Sequence, residues 1–223
     1  MPHRKSKKIF IYLFLFLVIG TLNNKNINDL YFFKINKISI KGLDEKNNNK
    51  LIKDLNFLKF DNLFFLNTSK INEVVSSNNL IENFSVFKKY PSSLEIFINK
   101  THFLAKIKKN DKDFILGSNG RLIAASYETI NLPFIFGNFE IENFFKLKKA
   151  IDETNLDYNE IKNLYSFKSG RWDIETKDGL TIKLPKNDLR KKIELYLIFI
   201  SENSKKKVNI IDLRQLNQII ING

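Results

Sequence analysis

Residues 9–24 (IFIYLFLFLVIGTLNN) form a run without a single charge, and residues 1–8 ahead of it hold Arg4, Lys5, Lys7 and Lys8 with no acid. As a helix, at about 1.5 Å per residue, the run reaches roughly 24 Å, against a hydrocarbon core of about 30 Å. Lys7, Lys8 and Lys25 flank it and can snorkel, so a thin or locally thinned bilayer accepts it. The pattern predicts a tail over 1–8 and a membrane anchor over 9–24. A cleaved secretory signal is the second reading, with Val18-Ile19-Gly20 as a tolerable small-residue site. A buried soluble helix gives no reason for the charge asymmetry. Both membrane readings keep the positive flank in the cytoplasm and send the remainder across the bilayer.

Composition narrows what that remainder does. Its 223-residue parent chain has room for one medium domain or two small ones, and it contains no Cys and only two His, His3 and His102. Disulfides, thiol nucleophiles and thiolate metal sites are excluded, and no cofactor is expected. The formal charge is +13, but Lys supplies most of the 37 basic residues and Arg only five: Arg4, Arg121, Arg171, Arg190 and Arg214. Base and phosphate recognition favours the planar Arg fork. A Lys bias in a chain rich in Asn, Ile and Phe therefore predicts no nucleic-acid partner.

The spacing of apolar residues gives the organisation. Ile38 and Ile40 alternate with polar neighbours up to Gly42, as in a strand, and Leu51, Leu55 and Leu58 share one helical stripe. After the apolar segment 62–66, Asn67 or Thr68 can cap a helix bearing Ile71, Val74 and Val75. Phe84 and Val86, then Leu94, Ile96 and Ile98, have period two around a turn at Tyr90-Pro91. The order β-α-α-β-β predicts a compact α+β unit over 34–101, after a linker at 25–33. Hairpins dominate 102–223. Ser118-Asn119-Gly120 and Asp178-Gly179 supply turns, 132–137 reads as a loop, and 143–155 as a helix. Asn187 or Asp188 caps a long helix closed by Lys205, Lys206 and Lys207. Residues 208–213 then read as a strand, and 215–223 as a further extended segment.

Catalytic constellations are missing. The chain has no nucleotide-binding glycine loop, no H-E-x-x-H and no G-x-S-x-G. The pairs Asp111/Asp113 and Glu140/Glu142 lie in polar, solvated stretches, and His102 reads as an ordinary surface histidine. No enzyme and no small-molecule substrate is expected. The C-terminus carries the more placed feature, because Asp212-Leu213-Arg214 sets an acid and a base on one face of a strand. Beyond it Leu216, Ile219, Ile220 and Ile221 form a β-prone tail. Such a strand is either sheet core or an edge open to another chain.

With these residues in order, the chain resembles the FtsQ/DivIB family of bacterial cell-division proteins over essentially its whole length. The matching signatures are Ile38-Ser39-Ile40-Lys41-Gly42, Asn62-Leu63-Phe64, and Val86-Phe87-Lys88-Lys89-Tyr90-Pro91-Ser92-Ser93-Leu94. Then follow Phe114 to Ile123 with its Gly120, Leu132-Pro133 with Gly137, and Trp172 with Asp178-Gly179 and Leu184-Pro185. Ile211-Asp212-Leu213-Arg214 closes the series. The resemblance implies a single transmembrane helix, a POTRA domain and a mainly antiparallel β-domain, in a non-enzymatic divisome scaffold of the bacterial inner membrane and septum. It also implies recruitment of the FtsB/FtsL pair by strand addition. By position, that points to Arg214, Gln215, Leu216, Asn217, Gln218, Ile219, Ile220 and Ile221, with Arg190 on the preceding helix. Asp212, Leu213, Arg214, Tyr90 and Pro91 are motif positions. The segment after Arg214 lacks the aromatic residues some relatives carry, and the sequence ends at Gly223 without an extension, so individual hot spots do not transfer. A POTRA-bearing envelope assembly or secretion factor is the alternative.

Overall fold

In the computed structural model, residues 7–22, 33–124, 131–203, 208–216 and 218–222 are described. Helix α1 (Lys7–Leu22) takes up the apolar run, and Ile9 to Ile19 are all exposed, so it has no polar face. It is 16 residues long, and among the described residues no helix is long and apolar enough to cross a membrane. Arg4, Lys5, Lys25, most of the expected linker, Lys205 to Lys207 and Asn217 lie outside the described residues. The chain divides into two compact units, Met1–Lys100 and Thr101–Gly223.

In the first unit, β1 (Lys37–Lys41) is followed by α2 (Glu45–Asp54), a 3-10 turn (Asn56–Phe60), α3 (Ser69–Ser76), β2 (Ile81–Lys89) and β3 (Ser93–Lys100). The sheet order is β1-β3-β2, with β3 parallel to β1 and antiparallel to β2. Period-two burial follows: Leu94, Ile96 and Ile98 on β3 and Ile38 and Ile40 on β1 point into one core. Leu51, Leu55 and Leu58 cover that core from the helical side, but across two elements, α2 and the 3-10 turn. Helix α2 starts earlier than its leucine stripe. The Asp44 side chain accepts from the Asn47 backbone N–H (3.2 Å) and its Nδ2 (2.7 Å), so the Asn-rich stretch is a capped first turn. At α3, Thr68 is the N-cap without a side-chain cap bond, while Asn67 Oδ1 accepts from the Ser69 N–H (2.9 Å).

The second unit is one nine-stranded sheet. Its strands are β4 (Phe103–Lys109), β5 (Lys112–Gly117), β6 (Leu122–Ala124), β7 (Phe134–Phe136), β8 (Ile161–Ser166), β9 (Trp172–Thr176), β10 (Thr181–Leu184), β11 (Ile210–Asp212) and β12 (Ile220–Asn222). Among the described residues two α-helices belong to it, α4 (Ile141–Asp152) and α5 (Leu189–Glu202), with a 3-10 turn at Tyr158–Glu160. The spatial order is β12-β11-β10-β9-β8-β7-β4-β5-β6. Five neighbouring pairs are antiparallel, while β4/β7, β7/β8 and β10/β11 are parallel. Parallel neighbours need a long crossover: α4 joins β7 to β8, and α5 joins β10 to β11. Both helices bury their apolar stripes against the same face of the sheet, over Ile135, Leu164, Ile174, Ile182 and Ile211. Trp172 packs there with Phe139 (ring centroids 5.7 Å) and Phe144 (6.3 Å).

Two readings of this unit change. The expected loop at 132–137 contains β7, whose short Phe-Ile-Phe run is held between two parallel neighbours. Strand β8 has no counterpart in the sequence reading: its pattern does not alternate, because a register shift between Ile161 and Asn163 places its buried Ile161 and Leu164 three residues apart. Asp188 is the N-cap of α5, yet its backbone is left-handed (φ 57°) and its side chain makes no cap bond.

A candidate partner-binding edge at the C-terminus

Strand β10 leaves the core at Leu184, α5 crosses the sheet face, and the chain returns as β11 alongside β10. Leu213 then anchors the end of β11: it is buried, and its N–H donates to the Lys183 carbonyl (2.9 Å). The next residue closes the strand. Arg214 Nε donates to Asp212 Oδ1 (2.8 Å) and Oδ2 (3.0 Å), its Nη2 donates to Oδ2, and its backbone N–H donates to Oδ1 (3.0 Å). This fork locks acid and base into a local clamp that bends the chain.

After the clamp the chain reverses. Lys192 Nζ on α5 donates to the Gln215 carbonyl (2.6 Å), Leu216 is 85 % exposed, Gln218 is exposed, and Ile219 packs half-buried against the core. Strand β12 pairs antiparallel with β11, in the register Ile211↔Ile221 and Asp212↔Ile220. Strand β11 is therefore occupied on both sides, by β10 and by β12, and β12 ends the sheet on this side, with β6 at the opposite edge. All three of its residues are exposed, with Ile220 at 50 % and Ile221 at 44 %.

The face of the sheet away from the helices carries a charged row here. Across β9, β10 and β11, Asp173 is opposite Lys183, which is opposite Asp212. The two acids respond in opposite senses. Arg214's hydrogen bonds hold the Asp212 carboxyl below its ordinary value, and Asp212 in turn raises the Arg214 guanidinium. Burial pushes Asp173 upward, against the opposing charges of Lys183, Arg171 and Arg214. Among the described residues its Oδ1 has no hydrogen-bond partner.

The structure brings Asp212, Leu213, Arg214, Gln215, Leu216, Gln218, Ile219, Ile220 and Ile221 into one turn and edge, while Asn217 lies outside the described residues. Arg190 is in the first turn of α5, where Nε pairs with Glu194 (2.9 Å) and Nη1 with Glu153 (3.9 Å). Tyr90 and Pro91 belong to the first unit, at the β2–β3 turn. Lys192 was missed by sequence reasoning, because its bond to Gln215 spans 23 residues and no local pattern signals it. Among the described residues no group of three or more His, Asp or Glu side chains is placed to hold a metal ion. Asp111 is fully exposed beside Lys108, and the His102 backbone N–H donates to Ser118 Oγ (2.9 Å).

A three-stranded α+β unit followed by a long mixed sheet is the architecture of a POTRA domain joined to a β-domain. Residues 33–100 match the family described as "POTRA domain, FtsQ-type", and residues 105–214 match "Cell division protein FtsQ/DivIB, C-terminal". The chain belongs to the FtsQ/DivIB family of cell division proteins. It is 33 % identical over 134 residues to cell division protein DivIB of Clostridium botulinum (strain Loch Maree / Type A3), covering 59 % of this chain and 50 % of that relative. It is 24 % identical over 193 residues to cell division protein FtsQ of Rickettsia bellii, covering 85 % and 72 %. The chain thus spans about half the length of the clostridial relative. The major extracytoplasmic domain of DivIB from Geobacillus stearothermophilus is a similar solved structure, at 13 % identity and a TM-score of 0.35 over 49 % of this chain and 98 % of that domain.

Proposed function

We propose that this protein is a non-enzymatic scaffold of the bacterial division machinery. Residues 9–24 anchor it in the inner membrane, with residues 1–8 in the cytoplasm and the rest outside, and it acts at the septum. Its β-domain recruits a membrane partner pair of the FtsB/FtsL type by accepting a strand at the C-terminal sheet edge. The observation that carries this reading is the exposed terminal strand β12, next to the Asp212–Arg214 clamp. A strand ending a sheet offers backbone donors and acceptors to any extended chain, and alternate side chains such as Ile220 and Asn222 supply selectivity. The family membership supports a role in division, and the scarcity of His and Cys supports binding over catalysis.

Photo-crosslinking tests it. A photoreactive residue at Ile219 or Ile221 is expected to trap a small coiled-coil membrane protein, and Ile221→Pro is expected to abolish the adduct by removing a backbone donor. Adducts arising only from residues 62–75 would overturn the placement. Depletion is expected to give long undivided cells with normally segregated chromosomes, and cells of normal length would refute the division role.

A further inference from the structure

The first unit carries an aromatic surface that its own core does not use. Phe33, Phe64, Phe65 and Tyr90 form one cluster, with ring centroids 6.5 Å apart for Phe33–Phe64, 6.4 Å for Phe33–Tyr90, 5.1 Å for Phe64–Phe65 and 6.5 Å for Phe64–Tyr90. Phe64, Phe65 and Tyr90 are each at least half exposed, and Phe60 nearby in sequence is 83 % exposed. Contiguous exposed aromatics on a small domain mark a surface that meets something less polar than water. The segments bearing them are basic: Lys34, Lys59, Lys88 and Lys89 lie within residues 33–36, 57–66 and 87–93, against Asp61 as the single acid there. Lys88 Nζ donates to the Phe64 carbonyl (3.2 Å), which holds one ammonium beside the rings, and Lys89 pairs with Glu95 (2.8 Å).

We infer that this patch docks on the surface of an anionic phospholipid bilayer, with the rings at headgroup depth and the lysines on the lipid phosphates. The inference rests on the reading of residues 9–24 as an anchor. Phe33 follows Leu22, the last residue of α1, by eleven positions. At up to about 3.5 Å per residue that tether is at most roughly 40 Å long, so the patch stays within reach of the bilayer. Tyr90 has an apolar body and a polar tip suited to the interface, the phenylalanine rings bury apolar area at the headgroup–acyl boundary, and lysines beside an anionic leaflet are attracted to it. Two weak contacts on a tethered domain then reinforce each other through effective concentration. Docked in this way, the unit lies against the membrane, where an untethered partner would find it in only one orientation.

The chain lacks Cys, so one introduced thiol gives one labelling site. Full-length protein with Phe64→Cys, or Phe65→Cys as a second exposed position, is labelled with an environment-sensitive dye. It is then reconstituted in vesicles of phosphatidylglycerol and phosphatidylcholine containing a headgroup-depth spin-labelled lipid. Phe97→Cys, exposed on the outer face of the three-stranded sheet, is the control. The dye at 64 or 65 is expected to be quenched about twofold more than at 97, falling toward the control when phosphatidylglycerol is replaced by phosphatidylcholine. Equal quenching at all three positions in protein that floats with the vesicles overturns the docking inference alone. Protein that does not float overturns the anchor reading instead. A dye shielded from aqueous iodide yet untouched by the lipid quencher would assign the patch to a protein partner and also overturn the inference.

Discussion

The two units solve the same problem, covering one face of a sheet with two helices, by different connections. In the POTRA unit the central strand β3 has a hairpin partner on one side and β1 on the other, and its core is built from regularly spaced Leu, Ile and Val. In the β-domain, α4 and α5 each cross over between parallel neighbours, and the core is centred on the aromatic group Phe139, Phe144 and Trp172. The two buried clusters share no residue. The small sheet has the five-residue β1 and the nine-residue β2 at its edges, the large one the three-residue β6 and the three-residue β12. Short exposed edges are the kind that protein sheets tolerate without self-association, so the larger sheet keeps an accessible edge at low risk.

Separate cores predict separate stabilities. Trp172→Ala is expected to cost the β-domain about 3–5 kcal/mol, and Leu94→Ala the POTRA unit about 2–5 kcal/mol, each leaving the other unit unchanged within about 0.5 kcal/mol. Hydrogen exchange of the full chain in detergent, resolved by peptide, reads both at once. Equal loss of protection in both units for either variant would break the comparison.

A smaller effect is expected where strand ends pass close to a neighbour. Gly42 (φ +120°) and Gly137 (φ +89°) hold left-handed backbone, and an added Cβ would lie 1.8 Å from the Ile98 carbonyl oxygen and 2.3 Å from that of Ser166. Alanine at either position is expected to cost about 1–3 kcal/mol in its own unit, with Gly42→Ala the worse of the two. Urea midpoints of the pair sharpen the comparison, and a neutral Gly42→Ala would contradict the geometry.

The acids of the β-domain differ in pH response. Asp212 is held below its ordinary value of 3.8, so its clamp with Arg214 contributes above that pH and is lost as the pH falls through the folded value. Asp212→Asn is expected to cost about 1 kcal/mol at neutral pH, kept small because water screens Arg214, with the gap closing in acid. Burial raises Asp173, so its contribution runs the other way: stability is lost as the pH rises above 3.8. Asp173→Asn is therefore expected to match or exceed the parent at neutral pH, and an equal loss in both variants would refute the assignment. The smallest effect belongs to Arg190→Ala, at most about 0.5 kcal/mol, because its i,i+4 bond to Glu194 is exposed. Thermal melts check it.

Legibility in the sequence followed locality. Ile38 and Ile40, and Leu94 to Ile98, were readable because each strand is long enough to show its alternation, and the turn at Asp178-Gly179 because its hairpin closes within a few residues. Strand β7 was not, since its three residues owe their pairing to β4 and β8, far away in sequence. Strand β8 was hidden by the shift that breaks its alternation. At the C-terminus the acid–base spacing of Asp212 and Arg214 was visible, but the return of β12 onto β11 and the Lys192–Gln215 bond were not.

The charge-free run at 9–24, the exclusion of thiol chemistry, the β-α-α-β-β order and the family resemblance are all legible from residue type and near-neighbour spacing. Which strand forms the C-terminal edge of the large sheet follows from the tertiary packing. The Asp212–Arg214 clamp turns the chain so that β12 folds back over the edge β11 would otherwise present. Whether a strand is core or edge is fixed by what lies beside it in space, and that neighbour is not encoded within the strand.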